Sequence, residues 1–114
     1  MDDCVFCKIA GKQIPSALVH EDDQLVAFND VNPQAPMHML IIPREHIPSL
    51  GQLDSGHDEL VGRALRLAAE LARQKGLSES GYRVVINCGK DAGQSVGHLH
   101  FHVLGGRVMG WPPG

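Results

Sequence analysis

The clearest hydrophobic pattern in the chain is a stripe of apolar residues at spacings of three and four in its second half. The stripe predicts one long amphipathic helix, and its members are Leu60, Ala64, Leu67, Ala68, Leu71 and Ala72. Asp54 or Ser55 is predicted to cap this helix, and Ser55 followed by Asp58 resembles a capping box. Gly76 is a natural residue for its C-terminal end.

Shorter segments with the alternation and composition of strands lie on both sides of this helix. The predicted strands are residues 17–21, 24–28, 37–42, 82–87 and 97–104, the last beginning at Gly97 or His98. Asp22 and Asp23 form a predicted hairpin turn, Pro43 ends the third strand, and residues 4–10 form a short turn of helix that ends at Gly11. Many short strands and one long helix predict a single α+β domain over all 114 residues. Its antiparallel sheet of about five strands is covered by the long helix.

Strict alternation in the last predicted strand separates histidines from apolar residues. The histidines are His98, His100 and His102, and the apolar residues, which we expect to pack under the helix, are Leu99, Phe101 and Val103. A polar face built only for solubility would use Thr, Lys or Glu. Two interpretations remain open from the pattern: a metal site formed by all three imidazoles, or attack on phosphorus by a neutral imidazole.

The segment just before this strand favours attack on phosphorus. Residues 90–97 form a glycine-rich loop, and the backbone N–H groups of such loops bind phosphate oxygens. Gln94 and Ser95 add side-chain donors, and the Ser95 hydroxyl is able to pass a proton to a leaving group. Without the histidines, both residues would be interpreted as ordinary turn residues.

Composition and charge limit the class of protein further. The chain is 43% hydrophobic, which is typical of a globular domain, and its net charge of −3 argues against binding to duplex nucleic acid. A single nucleotide held by backbone N–H groups remains compatible with this charge. The longest apolar run, residues 37–43, is far shorter than the roughly 20 residues of a membrane span. With no pattern of a signal peptide and three cysteines, we expect a cytoplasmic protein in which Cys88 is a buried thiol on its strand.

The segment from Gly93 to Arg107 resembles the motif of the histidine triad superfamily. It consists of Gly-Gln-Ser-Val, three histidines at alternate positions, and then Val-Leu-Gly-Gly-Arg. The ending Trp-Pro-Pro-Gly at residues 111–114 resembles that of the Hint branch, the histidine triad nucleotide-binding proteins. Weaker matches extend the resemblance over nearly the whole chain, at residues 14–15, 21–23, 27–28, 30, 33–36, 38 and 42–43.

The resemblance implies a homodimer with joined sheets and hydrolysis of purine nucleoside 5′-phosphoramidates. His100 would be the nucleophile that forms a nucleotidyl-histidine, with His38 supporting the triad by hydrogen bonding. Asp30 would bind the ribose hydroxyls, and Trp111 would reach the site from the partner subunit. The resemblance also implies phosphate contacts at His102, Ser95, Gln94 and Asn87, and a base pocket lined by Val5, Phe6, Ile9, Phe28 and Val31.

A C-x-x-C pair, Cys4 and Cys7, has a spacing that suits tetrahedral zinc. His46 and His98 are the best candidates for the two remaining ligands, since some bacterial-type members of the family bind structural zinc through two cysteines and two histidines. His98 would then leave catalysis, while the other two triad histidines would remain in it. A redox pair and two unrelated thiols are the alternative interpretations.

Three alternatives to the phosphoramidase stay open. The first is a dinucleoside polyphosphate hydrolase as in the Fhit branch, against which Ser95 and the Trp-Pro-Pro-Gly ending argue. The second is a nucleotide-binding adaptor protein with weak catalysis. The third is a metal-dependent hydrolase that uses the histidine triad as ligands.

Overall fold

In the computed structural model, which describes residues 3–114, an antiparallel sheet is covered by one helix on each face. The helices are α1 (Val5–Ala10) and α2 (Asp58–Gln74), and the strands are β1 (Leu18–Glu21), β2 (Leu25–Asn29), β3 (Met37–Pro43), β4 (Tyr82–Val85) and β5 (Phe101–Gly105). The strand order is β1-β2-β3-β5-β4, and each neighbouring pair is antiparallel. The prediction of an α+β fold with about five strands and one long helix is confirmed.

The larger hydrophobic core lies between α2 and one face of the sheet. The buried residues of α2 all belong to the predicted apolar stripe, and they are Ala64, Ala68, Leu71 and Ala72. From β5 and the segment just before it, Leu99, Phe101 and Val103 enter this core, as their alternation predicted. None of the helices within residues 3–114 combines the length and the hydrophobicity needed to cross a membrane.

Of the two residues predicted to cap the start of α2, Asp54 forms the cap and Ser55 does not, and the predicted end of the helix is correct. A 3₁₀ turn over Ser55–His57 precedes the helix, so the cap lies one residue earlier than a Ser55–Asp58 box would place it. The capping box is formed by Asp54 and His57: the Asp54 carboxylate accepts from the backbone, and the His57 ring accepts from the Asp54 N–H. At the other end, Gly76 takes a φ of 76°, which is the left-handed conformation expected just past a helix.

The second face of the sheet is covered by α1, which the sequence had indicated only as a short turn of helix. Cys4 caps this helix with its sulfur, and Gly11 follows it, as predicted. Its buried residues Phe6, Ile9 and Ala10 form a second hydrophobic cluster, together with Val26, Phe28, Leu40 and Ile42 of β2 and β3. The histidine side of β5 therefore lies next to α1.

The last strand is shorter at its start than predicted, and this is a correction. The regular pairing of β5 with β3 ends at Phe101, opposite Ile41, so His98 and His100 precede the strand and only His102 lies on it. Continued pairing would put Leu99 opposite Pro43, which has no N–H to donate. The Leu99 N–H instead donates to the carbonyl of Ile47, at 2.7 Å. The alternation of faces nevertheless continues through residues 98–100, which are buried.

The fourth strand also ends earlier than predicted. Regular pairing of β4 stops at Val85, so Asn87 and Cys88 lie in the loop that follows. Cys88 is exposed, and the prediction of a buried thiol on a strand is therefore wrong. The physical reason is that β4 is an edge strand, so this segment has only β5 beside it within the described chain.

The turn between β1 and β2 is built around Asp22. Its carboxylate accepts hydrogen bonds from the N–H groups of Gln24 and Leu25, both at 2.8 Å, and from the His20 ring, also at 2.8 Å. Burial alone would raise the pKa of Asp22, but these bonds and the Arg63 guanidinium lower it from 3.8 to about 2. Asp22 is therefore the group that holds the predicted hairpin together.

Replacing Asp22 with alanine is expected to destabilise the fold by about 1–2 kcal/mol at neutral pH, because the carboxylate accepts several hydrogen bonds. The folded-state pKa lies below the ordinary 3.8, so this stabilisation is complete at neutral pH and is lost as the pH falls toward 2. Urea unfolding midpoints measured across this range should show the variant and the parent converging in acid. Asp23→Ala is the matched control, since Asp23 is 85% exposed; an equal loss there would contradict the assignment.

Candidate active site and metal centre

A continuous row of aromatic rings runs along the α1 side of the sheet. Successive ring centroids are separated by 5.0, 5.9, 5.1, 5.0 and 5.1 Å in the order His46, His98, Phe6, His100, His102 and His38. The first two histidines face the cysteines, and the last two pair with each other. The triad is therefore divided between two chemical environments rather than gathered around one point.

His38 on β3 has its tautomer fixed by the backbone. The N–H of Gln34 donates to His38 Nδ1 at 3.0 Å, so Nδ1 is an acceptor and the proton of the neutral ring is on Nε2. His38 Nε2–H then donates to His102 Nδ1 at 2.9 Å. It follows that a neutral His102 carries its own proton on Nε2, the atom that is free to donate to a ligand.

Both histidines of this pair favour the neutral state. Burial and the proximity of His100 and His38 lower the pKa of His102 to about 4. Burial also lowers the pKa of His38, and the Asp30 carboxylate, whose Oδ2 lies 3.4 Å from His38 Nε2, opposes this only in part. The direct hydrogen bond between the two rings is consistent with this, since two imidazolium ions could not share it.

His100 is held by a backbone carbonyl. Its Nδ1–H donates to the His98 oxygen at 2.7 Å, because a carbonyl can only accept. The ring is buried, and the lone pair of its neutral form is on Nε2. A neutral imidazole with a fixed Nδ1–H and a free Nε2 is the form needed for nucleophilic attack.

Cys4, Cys7, His46 and His98 bring four ligand atoms within 4.8 Å of one another. Cys7 Sγ lies 3.2 Å from His46 Nδ1 and 3.5 Å from His98 Nδ1, and Cys4 Sγ lies 3.4 Å from His98 Nδ1. In a tetrahedral zinc site, bonds of about 2.0–2.3 Å separate neighbouring ligand atoms by about 3.3–3.8 Å. The cluster is therefore compatible with a zinc ion.

The surroundings of the cluster also suit a cation. His98 Nε2–H donates to the Pro43 carbonyl at 2.8 Å, which turns the Nδ1 lone pair toward the two thiols. Burial and the neighbouring Cys4 raise the pKa of Cys7 to about 11. Positive charge beside Cys7 Sγ would favour its thiolate, and a divalent cation supplies that charge.

A second group of possible ligands, Asp30, His38 and His102, is less suited to a metal. His38 Nε2 carries a proton, because the other ring nitrogen accepts from the Gln34 N–H. That proton already serves the hydrogen bond to His102. With His98 facing the cysteines, a single metal held by all three triad histidines does not agree with this geometry.

In the loop before β5, the side chain of Gln94 is hydrogen-bonded to the backbone, whereas Ser95 is exposed. The Gln94 amide oxygen accepts from the Gly89 N–H at 2.9 Å, and its amide nitrogen donates to the carbonyls of Pro48 and Val96 at 2.8 and 3.0 Å. These bonds use both N–H groups of the amide, so in this conformation Gln94 braces the loop. Ser95 is exposed.

The residues expected at the nucleoside pocket fall into an inner and an outer group. Phe6, Ile9 and Phe28 are buried, and the rings of Phe6 and Phe28 meet edge to face at 5.6 Å. Val5 is 40% exposed and Val31 is 95% exposed. Asp30 follows β2 directly, and its Oδ1 accepts from the Asn32 N–H at 2.9 Å, which turns the carboxylate toward His38.

An open cleft lies elsewhere on the described chain. It has a volume of about 590 Å³ and lies at the ends of β4 and β5, where it is lined by Ser80, Gly81, Tyr82, Arg83, Gly106, Arg107, Val108 and Met109. It contains no histidine, cysteine or carboxylate. The groups able to perform acid–base or nucleophilic chemistry converge instead on the histidine row.

Sequence reasoning missed three contributors to this site. The Gln34 N–H and the His98 carbonyl set tautomers, and such backbone roles leave no trace in residue types. The third is the contact of Phe6 with the His100 ring. The sequence did contain a signal for this contact. Phe6 lies between Cys4 and Cys7, which were expected to form one cluster with His98, two residues before His100.

Replacing His102 with glutamine is expected to reduce the loss of stability in acid by about 1–3 kcal/mol. The pKa of His102 in the folded state, about 4, lies below its ordinary 6.5, so the unfolded chain binds a proton at this residue more readily than the folded one. Its effect on the free energy of unfolding is therefore absent above pH 6.5, and stability is lost as the pH falls toward 4. Glutamine still accepts from His38 Nε2–H but does not titrate. Unfolding free energies at several pH values would test this, with His20→Gln as the control; parallel curves for His102→Gln and the parent would refute it.

Comparison with known proteins finds similarity over nearly the whole chain. The HIT domain family matches residues 11–109. The 14 kDa zinc-binding protein of Zea mays is 51% identical over 112 residues, 96% of this chain and 87% of that protein. The purine nucleoside phosphoramidase of Escherichia coli strain K12 is 43% identical over 109 residues, 96% of this chain and 92% of that protein. The crystal structure of a HIT family hydrolase from Legionella pneumophila Philadelphia 1 has a TM-score of 0.97 at 49% identity, covering 98% of this chain and 100% of that one.

Proposed function

The chain belongs to the HIT domain family, and we propose that it hydrolyses purine nucleoside 5′-phosphoramidates at the P–N bond. The observation that carries this proposal is the state of His100, whose Nδ1–H is held by the His98 carbonyl so that Nε2 is free to attack. The similarity to a protein named purine nucleoside phosphoramidase supports the choice of substrate class.

In the first step, the lone pair of His100 Nε2 attacks the α-phosphorus and forms a new P–N bond. The bond from phosphorus to the amine of the substrate breaks, and the amine leaves with a proton taken from a nearby donor. The Ser95 hydroxyl is our candidate for that donor. Because His100 Nδ1–H stays on the His98 carbonyl, this oxygen stabilises the positive charge that develops on the imidazolium ring.

In the second step, water attacks the nucleotidyl-histidine, passes a proton back to the Ser95 oxygen, and releases the nucleoside monophosphate. The bond from phosphorus to His100 Nε2 breaks, and the ring returns to its starting tautomer. His102 Nε2–H is oriented by His38 and is our candidate donor to a phosphate oxygen throughout. With its pKa lowered to about 4, His102 binds phosphate as a neutral hydrogen-bond donor at neutral pH.

We assign substrate binding to groups around this row. Asp30 would accept the ribose hydroxyls, and the base would lie against Ile9 and Phe28 with Phe6 behind them. Asn87 would contribute to the phosphate contacts. Gln94 would act mainly by holding the glycine-rich loop before β5 in shape, because its amide oxygen accepts from Gly89 N–H and its amide nitrogen donates to the Pro48 carbonyl.

We propose that Cys4, Cys7, His46 and His98 bind zinc with a structural role. Four protein ligands leave no open position for water, so the ion would supply a crosslink between α1 and the histidine row rather than a reactive centre. The similarity to a protein named zinc-binding supports this assignment. Catalysis would then need no metal at the phosphorus atom.

We also propose that the chain acts as a homodimer. Strand β4 lies at the edge of the sheet, and a second copy pairing there would join the two sheets. Trp111, which is 82% exposed, would then reach toward the partner's site. Sedimentation equilibrium at micromolar concentration should give twice the mass of the chain; a single-chain mass would reject the dimer.

Rates on two substrates test the proposed function. We expect kcat/KM on an adenosine 5′-phosphoramidate to exceed that on a diadenosine polyphosphate by about a hundredfold or more. The opposite preference would favour a dinucleoside polyphosphate hydrolase. Tight binding of nucleoside monophosphate with negligible turnover of either substrate would favour an adaptor protein.

A further inference from the structure

His98 contacts both the metal cluster and the active site, through different atoms. Its side chain faces Cys4 and Cys7 with Nδ1, at 3.4 and 3.5 Å. Its backbone oxygen accepts the proton of His100 Nδ1, at 2.7 Å. Any movement of the His98 ring that shifts its backbone therefore changes the hydrogen bond that fixes the His100 tautomer.

Phe6 makes a second connection from the other side of the row. It lies within the C-x-x-C pair on α1, is 7% exposed, and meets the His100 ring edge to face at 5.1 Å and an angle of 81°. The same ring meets His98 at 5.9 Å and 76°. Because Cys4 and Cys7 lie on either side of Phe6 in the chain, a metal ion that holds both sulfurs would also restrain the backbone that carries this ring.

The helix that carries Phe6 is too short to hold itself in place. Six residues are well below the length at which a helix is stable alone. Away from the cysteines, a hydrogen bond from Arg44 Nη1 to the Ala10 carbonyl at 2.8 Å fixes its C-terminal end. At its N-terminal end, side-chain hydrogen bonds join only the cysteines to His46 and His98 among the described residues.

We propose that metal binding at Cys4, Cys7, His46 and His98 positions the nucleophile, with Phe6 and the His98 backbone as the two positioning elements that hold His100. The inference rests on the proposed roles of His100 and of the cluster, and it goes beyond a structural crosslink. Loading the cluster fixes the orientation and tautomer of the His100 ring before any substrate binds.

The test is ¹⁵N NMR of the histidine rings in the substrate-free protein, which reports tautomers directly. With zinc bound, we expect His100 as a single Nδ1–H tautomer. In zinc-loaded Phe6→Leu, which keeps the apolar volume but loses the ring, we expect a mixture of tautomers and a kcat lower by about ten- to a hundredfold. Val26→Ala is the control, because Val26 belongs to the same cluster but lies on β2, which β3 separates from β5.

A second measurement removes zinc by chelation. The ¹⁵N resonances of the His100 ring are then recorded for the fraction of molecules that remains folded. Heterogeneous His100 tautomers without zinc, restored when zinc ion alone is added back, support the proposal. An unchanged Nδ1–H tautomer in zinc-loaded Phe6→Leu overturns it, even if chelation unfolds the chain. Because the spectra are recorded without substrate, this outcome is independent of whether the protein hydrolyses phosphoramidates.

Discussion

Replacing His100 with alanine is expected to lower kcat on an adenosine phosphoramidate by about four to six orders of magnitude. The reason is that, in the proposed reaction, Nε2 of this ring forms the covalent bond to phosphorus that replaces the bond to the amine. Nucleotide affinity should change by less than about tenfold, because the phosphate, ribose and base contacts are assigned to other residues. Single-turnover kinetics and calorimetry with adenosine monophosphate measure the two effects separately.

The matched control for this variant is His20→Ala, another histidine of the same sheet that lies outside the ring row. It should keep kcat close to that of the parent. If a folded, zinc-containing His100→Ala retained most of its turnover, the assignment of the nucleophile would be wrong. A loss of nucleotide binding equal to the loss of kcat would instead give His100 a binding role.

Removing the metal ligands is expected to produce the largest loss of stability. Structural zinc supplies an apparent binding free energy on the order of 10 kcal/mol in small domains, and here it would join α1 to His98. Cys4→Ser should therefore lose zinc and melt at a much lower temperature. Metal analysis and thermal unfolding, with and without a chelator, measure both changes.

Cys88→Ser provides the control for this substitution, since Cys88 is the exposed cysteine outside the cluster. It should keep the zinc content and the melting temperature of the parent. If the purified protein contains no zinc, or if chelation leaves its melting temperature unchanged, the structural metal centre is rejected. Loss of activity on chelation with an unchanged melting temperature would indicate a metal at the reaction centre.

The fold could be predicted where one physical effect dominates. The apolar stripe from Leu60 to Ala72 placed α2 correctly because burial of one helix face decides its orientation. The alternation around His100 assigned side chains to the correct faces even though the regular strand begins only at Phe101. Side chains keep alternating between the two faces wherever the backbone is extended. The bounds of β5, in contrast, depend on pairing with β3, and Pro43 has no N–H to continue that pairing.

The candidate site could be predicted in its residue types but not in its connections. The C-x-x-C spacing indicated Cys4 and Cys7 as metal ligands, and the resemblance to the family added His46 and His98. The tautomer of His38 could not be predicted, because it is set by the backbone N–H of Gln34. The packing of α1 could not be predicted either, because six residues are too few to show the helical periodicity of apolar residues that identifies a buried face.

The stereochemical course at phosphorus shows whether a covalent intermediate forms on His100. A nucleoside phosphoramidate made chiral at phosphorus with sulfur would be hydrolysed in ¹⁸O-labelled water, and the configuration of the product determined. Two successive in-line displacements, first by His100 and then by water, predict net retention. Net inversion would show direct attack by water and would contradict the account.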